Sequence, residues 1–374
     1  MGHDNPSTRS ESNRVSRRAV LTTVAGTPTL TYLGSVVSAS DNSTEIPYIK
    51  YGDEVVKWKT VPKQWWEAEQ QAVAAMKDLA AKYESHPAVT GVSLTNSEMR
   101  VNGRPTSRVE IDIGYEHSAE SFTAPETDYA VPVGVRQRGP LELHSPSTSC
   151  NDNWCDTTQY NKPRGGARLD GSHSATCRVE YDDRHHLMCA AHAVTDCGAV
   201  TPSNKVHHEG GYIGEVVDHD SKEDWAIIEN DPDGDFQNIS GYIAGHNIRV
   251  SGHVSEEALN DMRSNGEEAY HRGAKTCTTQ GPVKRTGIDL PYSSDCEGSG
   301  IYVEIDNCTY GGDSGGPHYD IWEDSGGCEW AAIVAPHKGG AGGGSGYSVG
   351  AAAHEIVDNN PIRFPSPNPC GPTQ

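Results

Sequence analysis

Seven consecutive residues, Gly311-Gly312-Asp313-Ser314-Gly315-Gly316-Pro317, set a single hydroxyl between paired glycines. Glycine lets the backbone turn sharply and come close to a bound carbonyl, where a Cβ would obstruct it. A hydroxyl is a weak nucleophile until a base takes its proton, so the stretch calls for a histidine and an acid elsewhere in the chain. His192 stands in Cys189-Ala190-Ala191-His192-Ala193, and Asp224 opens the apolar run Asp224-Trp225-Ala226-Ile227-Ile228, which reads as a strand with a carboxylate at its mouth. Asp196, Asp218 and Asp220 compete for the role of the acid, but they lie in polar loops. The order along the chain is His, Asp, Ser.

Short runs must position these groups. Residues 175–181, 186–190, 212–217, 225–228, 241–244, 299–305, 317–322, 330–335 and 345–349 are apolar or alternating, and Gly, Asp, Asn and Pro clusters separate them. Many short strands with frequent turns point to an all-β sandwich or barrel. Residues 256–262 suggest a surface helical turn, 351–357 a carboxy-terminal helix, and the proline-rich tail from 361 to 374 an extended segment.

Ala-Ala-His, Asp-X-Ala-X-Ile and Gly-Asp-Ser-Gly-Gly-Pro in this order resemble the chymotrypsin-like (trypsin-fold) serine proteases, nearest the bacterial secreted branch of streptogrisin and alpha-lytic protease. The resemblance spans roughly residues 165 to 357. It implies two six-stranded antiparallel β-barrels, with His192 and Asp224 on the first and Ser314 on the second. It also implies a serine endopeptidase in which Ser314 attacks, His192 carries the proton, Asp224 orients the imidazole, and the N–H groups of Gly312 and Ser314 receive the oxyanion. In relatives Asp313 turns inward to meet a new amino terminus or an internal arginine; both stay open here. By the same resemblance, residues 333–338 and the glycine-rich 339–346 wall the substrate pocket. His337 and Lys338 would be solvated loop residues there, or cations favouring an acidic side chain.

Nine of the ten cysteines fall between residues 149 and 330, the tenth is Cys370, and no Cys-X-X-Cys occurs. That usage favours disulfides in an oxidising compartment over a zinc site. Cys150 and Cys155 suggest a small stapled loop. Ala193 stands where the family has a cysteine, so the staple beside the histidine is rewired, with Cys177 pairing with Cys189 or with Cys197. The resemblance matches Cys308 to the bacterial pattern with Cys328 as its mate, and Cys277 with Cys296 is the remaining expectation.

Ahead of the catalytic region, Ser16-Arg17-Arg18 precedes a weakly apolar stretch ending near Val37-Ser38-Ala39, which resembles a twin-arginine export signal over residues 1–40. Residues 41–140 form a second unit. Trp65, Ala68, Ala72, Ala75, Met76, Leu79 and Tyr83 recur at helical spacing, and β-like runs follow at 89–94, 108–113 and 129–136. By position this α+β unit resembles a pro-region that blocks the cleft, or an accessory domain that stays attached. A linker rich in Pro, Ser, Asn and Gly covers 141–165, and the protease-like region 166–360.

Fifty-two acidic residues against 30 basic give a formal charge of -22. The excess is spread through the chain, which argues against nucleic-acid binding and fits an acidic, halophilic surface. Beyond the export signal no stretch is apolar enough to span a bilayer. Asp231, Asp233 and Asp235 alternate without the glycine and distal glutamate of a calcium loop, and adjacent His185-His186 and His207-His208 point apart on a strand. No cofactor or metal is called for. The expected partners are protein or peptide substrates, with the pro-region as an intramolecular inhibitor. The rival readings are an inactive protease-like binding protein, and an amino-terminal binding domain served by the protease.

Overall fold

The computed structural model describes residues 42–119, 122, 129–138, 141–142, 154–171, 173–195, 204–246, 248–291, 299–341 and 347–367. The export-signal stretch lies outside them, as do Cys150, Asp196, Cys197, Cys296, Cys370 and the glycine-rich 342–346.

The protein is all-β, with two barrel-like sheets. The first runs in the order Lys205–His208, Gly211–Asp220, Trp225–Ile228, Arg184–Cys189, His173–Tyr181, Ile362–Arg363, with Arg168–Leu169 beside His173–Tyr181. Its pairings along this path are antiparallel. Side chains on a strand alternate between faces. Trp225–Ile228 follows that rule while buried throughout: Ala226 and Ile228 join Leu187, Ile213 and Phe236 inside this sheet, whereas Trp225 and Ile227 face a second cluster with Ile333, Val349 and Phe364. The strand that delivers Asp224 is therefore clamped on both faces.

The second sheet has the order Glu54–Pro62, Ser43–Tyr51, Arg249–Val254, Glu329–Ala341, Pro317–Glu323, Glu268–Gly273, Cys277–Pro291, Val89–Val101, Arg104–Ile113, Val133–Gln137. Ser299–Ile305 joins Cys277–Pro291 and Ser348–Ala351, and Leu141–Glu142 lies along Glu329–Ala341. Amino-terminal strands thus form both ends of the sheet. Ile49 pairs with Val254 at one end, and Leu94 with Thr286 at the other. Ser38–Gln374 is accordingly one compact unit.

The helix Lys63–Tyr83 follows Pro62 and buries Ala72, Ala75, Met76 and Leu79 against the strands Val89–Val101 and Arg104–Ile113, and Trp65 against Ile46 and Val61. Gly287 allows a close approach of the helix to the sheet, since a Cβ there would lie 2.7 Å from the Met76 methyl. Charged groups are buried along the same seam. Arg263 meets Glu69 at 2.7 Å and Arg285 meets Asp112 at 2.7 Å, with all four side chains at most 2% exposed.

Several elements differ from the sequence expectation. Residues 241–244 make isolated bridges, Gly165 with Ile243 and Tyr242 with Arg249, because the chain crosses between strands there without running along one. The turn at 256–262 is the helix Glu256–Asn265, started by the Ser255 side chain accepting the Ala258 N–H at 3.1 Å and stopped by Gly266 at φ 67°. The tail is anchored before it leaves, as Ile362 pairs with Tyr181.

Candidate active site

Asp224 precedes its strand in the left-handed region, at φ 57°. Strain of this kind costs about 1 to 3 kcal/mol and persists where surroundings enforce it. Here the enforcement is local. The Asp224 carbonyl accepts the Ala191 N–H at 3.2 Å, and Oδ1 accepts the His192 N–H at 2.9 Å. Oδ2 lies 2.8 Å from His192 Nδ1, with both side chains almost wholly buried. Main chain and side chain of one acid thus fix both the helix start Ala191–Val194 and the ring it carries. Burial pushes the Asp224 carboxyl up, but His192 and then Lys338 outweigh it and hold the group below its ordinary value. Of the rivals, Asp218 accepts the Tyr181 hydroxyl at 2.7 Å and Asp220 caps the N–H groups of Lys222 and Glu223.

Ser314 is buried in a loop bonded to both sheets. Its carbonyl accepts the Ser174 N–H at 2.8 Å, and Gly312, at φ 111°, accepts the Ser174 hydroxyl at 2.9 Å. Gly315 donates to the His337 carbonyl at 2.8 Å. A Cβ on Gly315 would stand 2.2 Å from the Ser174 oxygen and 3.0 Å from the Ala190 nitrogen, so only glycine fits. That contact brings the serine loop against the segment ending in His192. The structure pairs His192 with Asp224 and sets the loop of Ser314 beside Ala190, two residues before His192.

Asp313 turns inward and is fully buried. Among the described residues its partners are backbone N–H groups, a hydroxyl and a histidine, with no arginine among them. Oδ1 accepts the N–H groups of Lys275 at 3.0 Å and Thr276 at 3.1 Å, while Oδ2 accepts the Thr276 hydroxyl at 2.7 Å and the Tyr310 N–H at 2.8 Å. His271 Nε2 stands 3.9 Å away. Burial opposes ionisation, yet His271 and Thr276 prevail and bring the carboxyl to about 2.

Beside this loop three imidazoles pack together. The ring centroids of His271 and His318 are 4.5 Å apart, those of His271 and His337 5.2 Å, and those of His318 and His337 5.4 Å. His318 Nε2 lies 3.3 Å from His337 Nδ1. Burial, with His271 and His337 alongside, pushes His318 well below the ordinary histidine value. Sequence reasoning missed His271 and His318, although His318 directly follows the serine motif. The view of His337 and Lys338 as solvated loop residues is corrected: both are buried on the strand Glu329–Ala341.

The cysteine pairings also need correction. Cys155 bonds to Cys277 across 122 residues, with Cα atoms 5.5 Å apart, replacing both the Cys150–Cys155 loop and the Cys277–Cys296 pair. The reason is positional: the N–H of Cys155 donates to the Ala274 and Lys275 carbonyls, which lays the linker along the turn before Cys277. Cys177 and Cys189 are buried thiols, so neither forms the expected bridge beside the histidine. Cys308 and Cys328 are both in disulfides. Of the alternating aspartates, Asp231 accepts the Asp233 N–H at 2.8 Å and Asp235 the Tyr212 N–H at 2.6 Å, so both shape turns.

No family model and no curated protein matches the chain. Among solved structures it is similar to a glutamic acid specific serine protease described as utilizing a novel histidine triad in substrate binding, at 20% identity and TM-score 0.38 over 54% of this chain and 99% of that one. It is also similar to Thermobifida fusca Protease A, at 17% identity and TM-score 0.37 over 55% of this chain and 98% of that one. A third neighbour is Cellulomonas bogoriensis chymotrypsin, at 17% identity and TM-score 0.38 over 55% of this chain and 100% of that one. These neighbours are chymotrypsin-like serine proteases at low identity.

Proposed function

We propose that the chain is an exported serine endopeptidase working through an acyl-enzyme intermediate. The observation that carries this reading is the buried contact of 2.8 Å between His192 Nδ1 and Asp224 Oδ2, beside the glycine-framed Ser314 loop. A carboxylate on Nδ1 orients the ring so that Nε2 is the basic nitrogen. Ser314 then loses its proton to His192 as it attacks the carbonyl, the peptide C–N bond breaks as the imidazolium returns that proton to the leaving amine, and water releases the acyl group by the same steps. Secretion through the twin-arginine signal and a halophilic setting belong to the same reading, supported by residues 16–39 and the charge of -22.

The amino-terminal strands are read as a permanent part of the second barrel and not as a removable inhibitor. Their support is the pairing of Leu94 with Thr286 and the buried ion pair of Asp112 with Arg285. The test is intact mass with fluorophosphonate labelling of secreted protein, for the parent and Ser314→Ala. Labelled parent retaining residues beyond 42 and unlabelled variant are expected; an unlabelled parent that is folded would favour the inactive binding protein.

A preference for an acidic side chain before the scissile bond has its own support. His337 is bonded through its main chain to Gly315 and Gly316, and its imidazole belongs to the buried cluster with His271 and His318. A peptide panel varied at that position, read with wild type and His337→Ala, tests it.

A further inference from the structure

This inference rests on the triad reading above and concerns the residue next to His337. Lys338 is only 1% exposed, an unusual fate for a lysine. It follows the residue whose carbonyl receives the Gly315 N–H, so its backbone is tied to the serine loop. Its Nζ turns to Tyr302, on the strand Ser299–Ile305 of the same sheet. It donates to the Tyr302 hydroxyl at 3.1 Å and stands 5.1 Å from that ring's centroid. Tyr302 in turn donates to the main-chain oxygen of Lys222, two residues ahead of Asp224.

Through Tyr302 the ammonium is linked to the turn 220–224, which carries three carboxylates with different tasks. Asp220 accepts the N–H groups of Lys222 and Glu223. Glu223 accepts the indole N–H of Trp225 and the side-chain amides of Asn359 and Asn360. Asp224 holds His192. Burial pulls the Lys338 ammonium below its ordinary value, and Asp224 followed by Asp220 opposes that. The same partnership appears from the other side, where Lys338 comes second to His192 in stabilising the Asp224 carboxylate.

We propose that Lys338 is a positioning residue for the catalytic pair: a buried cation, braced on Tyr302, that keeps Asp224 ionised towards His192 and disfavours adding a proton to the pair. A fixed positive charge in a poorly solvated site acts over several ångströms with little screening by salt. The pair would then stay in its proton-accepting form to lower pH than without the lysine. The charged and titratable groups bearing on it are Asp220, Glu223, Asp224, Lys222, His192, His337 and Tyr302. Lys338 is the cation whose side chain is bonded to the tyrosine that pins the turn.

The test is the fluorophosphonate labelling rate of the full chain as a function of pH. The parent must label and Ser314→Ala must not; failure there removes the triad reading itself. Given a labelled parent, Lys338→Met is expected to keep its high-pH plateau while the midpoint of the acid limb moves up by about 0.5 to 1 pH unit. Lys338→Arg, which keeps the charge, should return the midpoint to within about 0.2 unit of the parent. Lys338→Gln carries the same expectation as the methionine variant should that one not fold. The upward shift should persist in concentrated salt. A neutral variant whose profile superimposes on the parent's overturns the proposal. So does loss of labelling at every pH in the methionine, glutamine and arginine variants alike, which would mark Lys338 as structural.

Discussion

Thr276 binds Asp313 twice, its N–H reaching Oδ1 at 3.1 Å and its hydroxyl reaching Oδ2 at 2.7 Å. This grip supplies from within the chain what an inserted terminus would otherwise provide, a fixed inward turn of the residue before Ser314. The loop conformation is then independent of any freshly cut amino terminus. Blocking the amino terminus of the purified protein by acetylation should leave fluorophosphonate labelling within about twofold of the untreated protein, since both carboxylate oxygens already accept hydrogen bonds. A labelling loss of tenfold or more would show that a terminus is needed after all.

Thr276→Val removes one hydrogen bond to a buried charge. Bonds to charged groups contribute roughly 1.5 to 3 kcal/mol, so a urea midpoint lowered by that free energy is expected, with slower labelling as the serine loop loosens. The pH dependence has a definite sign. The folded-state carboxyl of Asp313 lies at about 2 against an ordinary 3.8, so its stabilisation is complete above the ordinary value and is lost as pH falls from there through about 2. The amount is about 2 kcal/mol, and the parent should show a steep loss of stability in that window that Asp313→Asn lacks.

Gly315→Ala tests the glycine frame. Its φ of 86° disfavours alanine, and the added methyl would meet the Ser174 oxygen at 2.2 Å. Both the strain and the clash with backbone argue for a loss of at least about 1 to 3 kcal/mol, together with labelling slowed by an order of magnitude or more. Thermal unfolding and labelling of one preparation report the two effects.

Asp224→Asn leaves the shape of the pair nearly intact but removes the charge that orients and stabilises the imidazolium. By comparison with Ser-His-Asp triads, turnover should fall by about 10⁴. Peptide hydrolysis followed across pH would reveal it; a loss below tenfold would show that Asp224 is not the acid of the triad.

Arg285→Ala would leave Asp112 buried without its closest cation, now 2.7 Å away. Removing one member of a buried pair costs roughly 3 to 5 kcal/mol. Urea unfolding of the full chain should register that loss in one transition covering both sheets. Two separated transitions, with only the amino-terminal one shifted, would mean that the strands at 89–113 fold apart from the barrel.

The His192–Asp224 contact and the glycine-framed loop of Ser314 were legible as candidates because they lie in short local motifs. The helix Lys63–Tyr83 was legible because its apolar spacing matches one helical face. Lys338 and the imidazoles of His271, His318 and His337 were not, since each lies on a strand whose burial is decided by partners far away in sequence. A lone lysine or histidine in a polar stretch reads as solvated. The strand Cys277–Pro291 escaped for the same reason: Lys284 and Arg285 give it a surface look, while Arg285 in fact points into carboxylates on another strand. Cys155 and Cys277 are joined by a contact that no local spacing encodes.

The placement of amino-terminal strands at both ends of the second sheet has a consequence for solubility. A sheet edge is a row of unsatisfied donors and acceptors that invites a second copy of the chain to pair with it. Here Ser43–Tyr51 covers Arg249–Val254, and Val89–Val101 covers the segment around Thr286, so the barrel does not offer those backbones to a neighbour. The outermost strand on one side, Glu54–Pro62, carries Lys57 and Lys59 and ends in proline, features that discourage further addition. A chain trimmed to residues 165–374 would bare two templates for strand addition at once, and its characteristic failure would be self-association before any displacement of His192, Asp224 or Ser314.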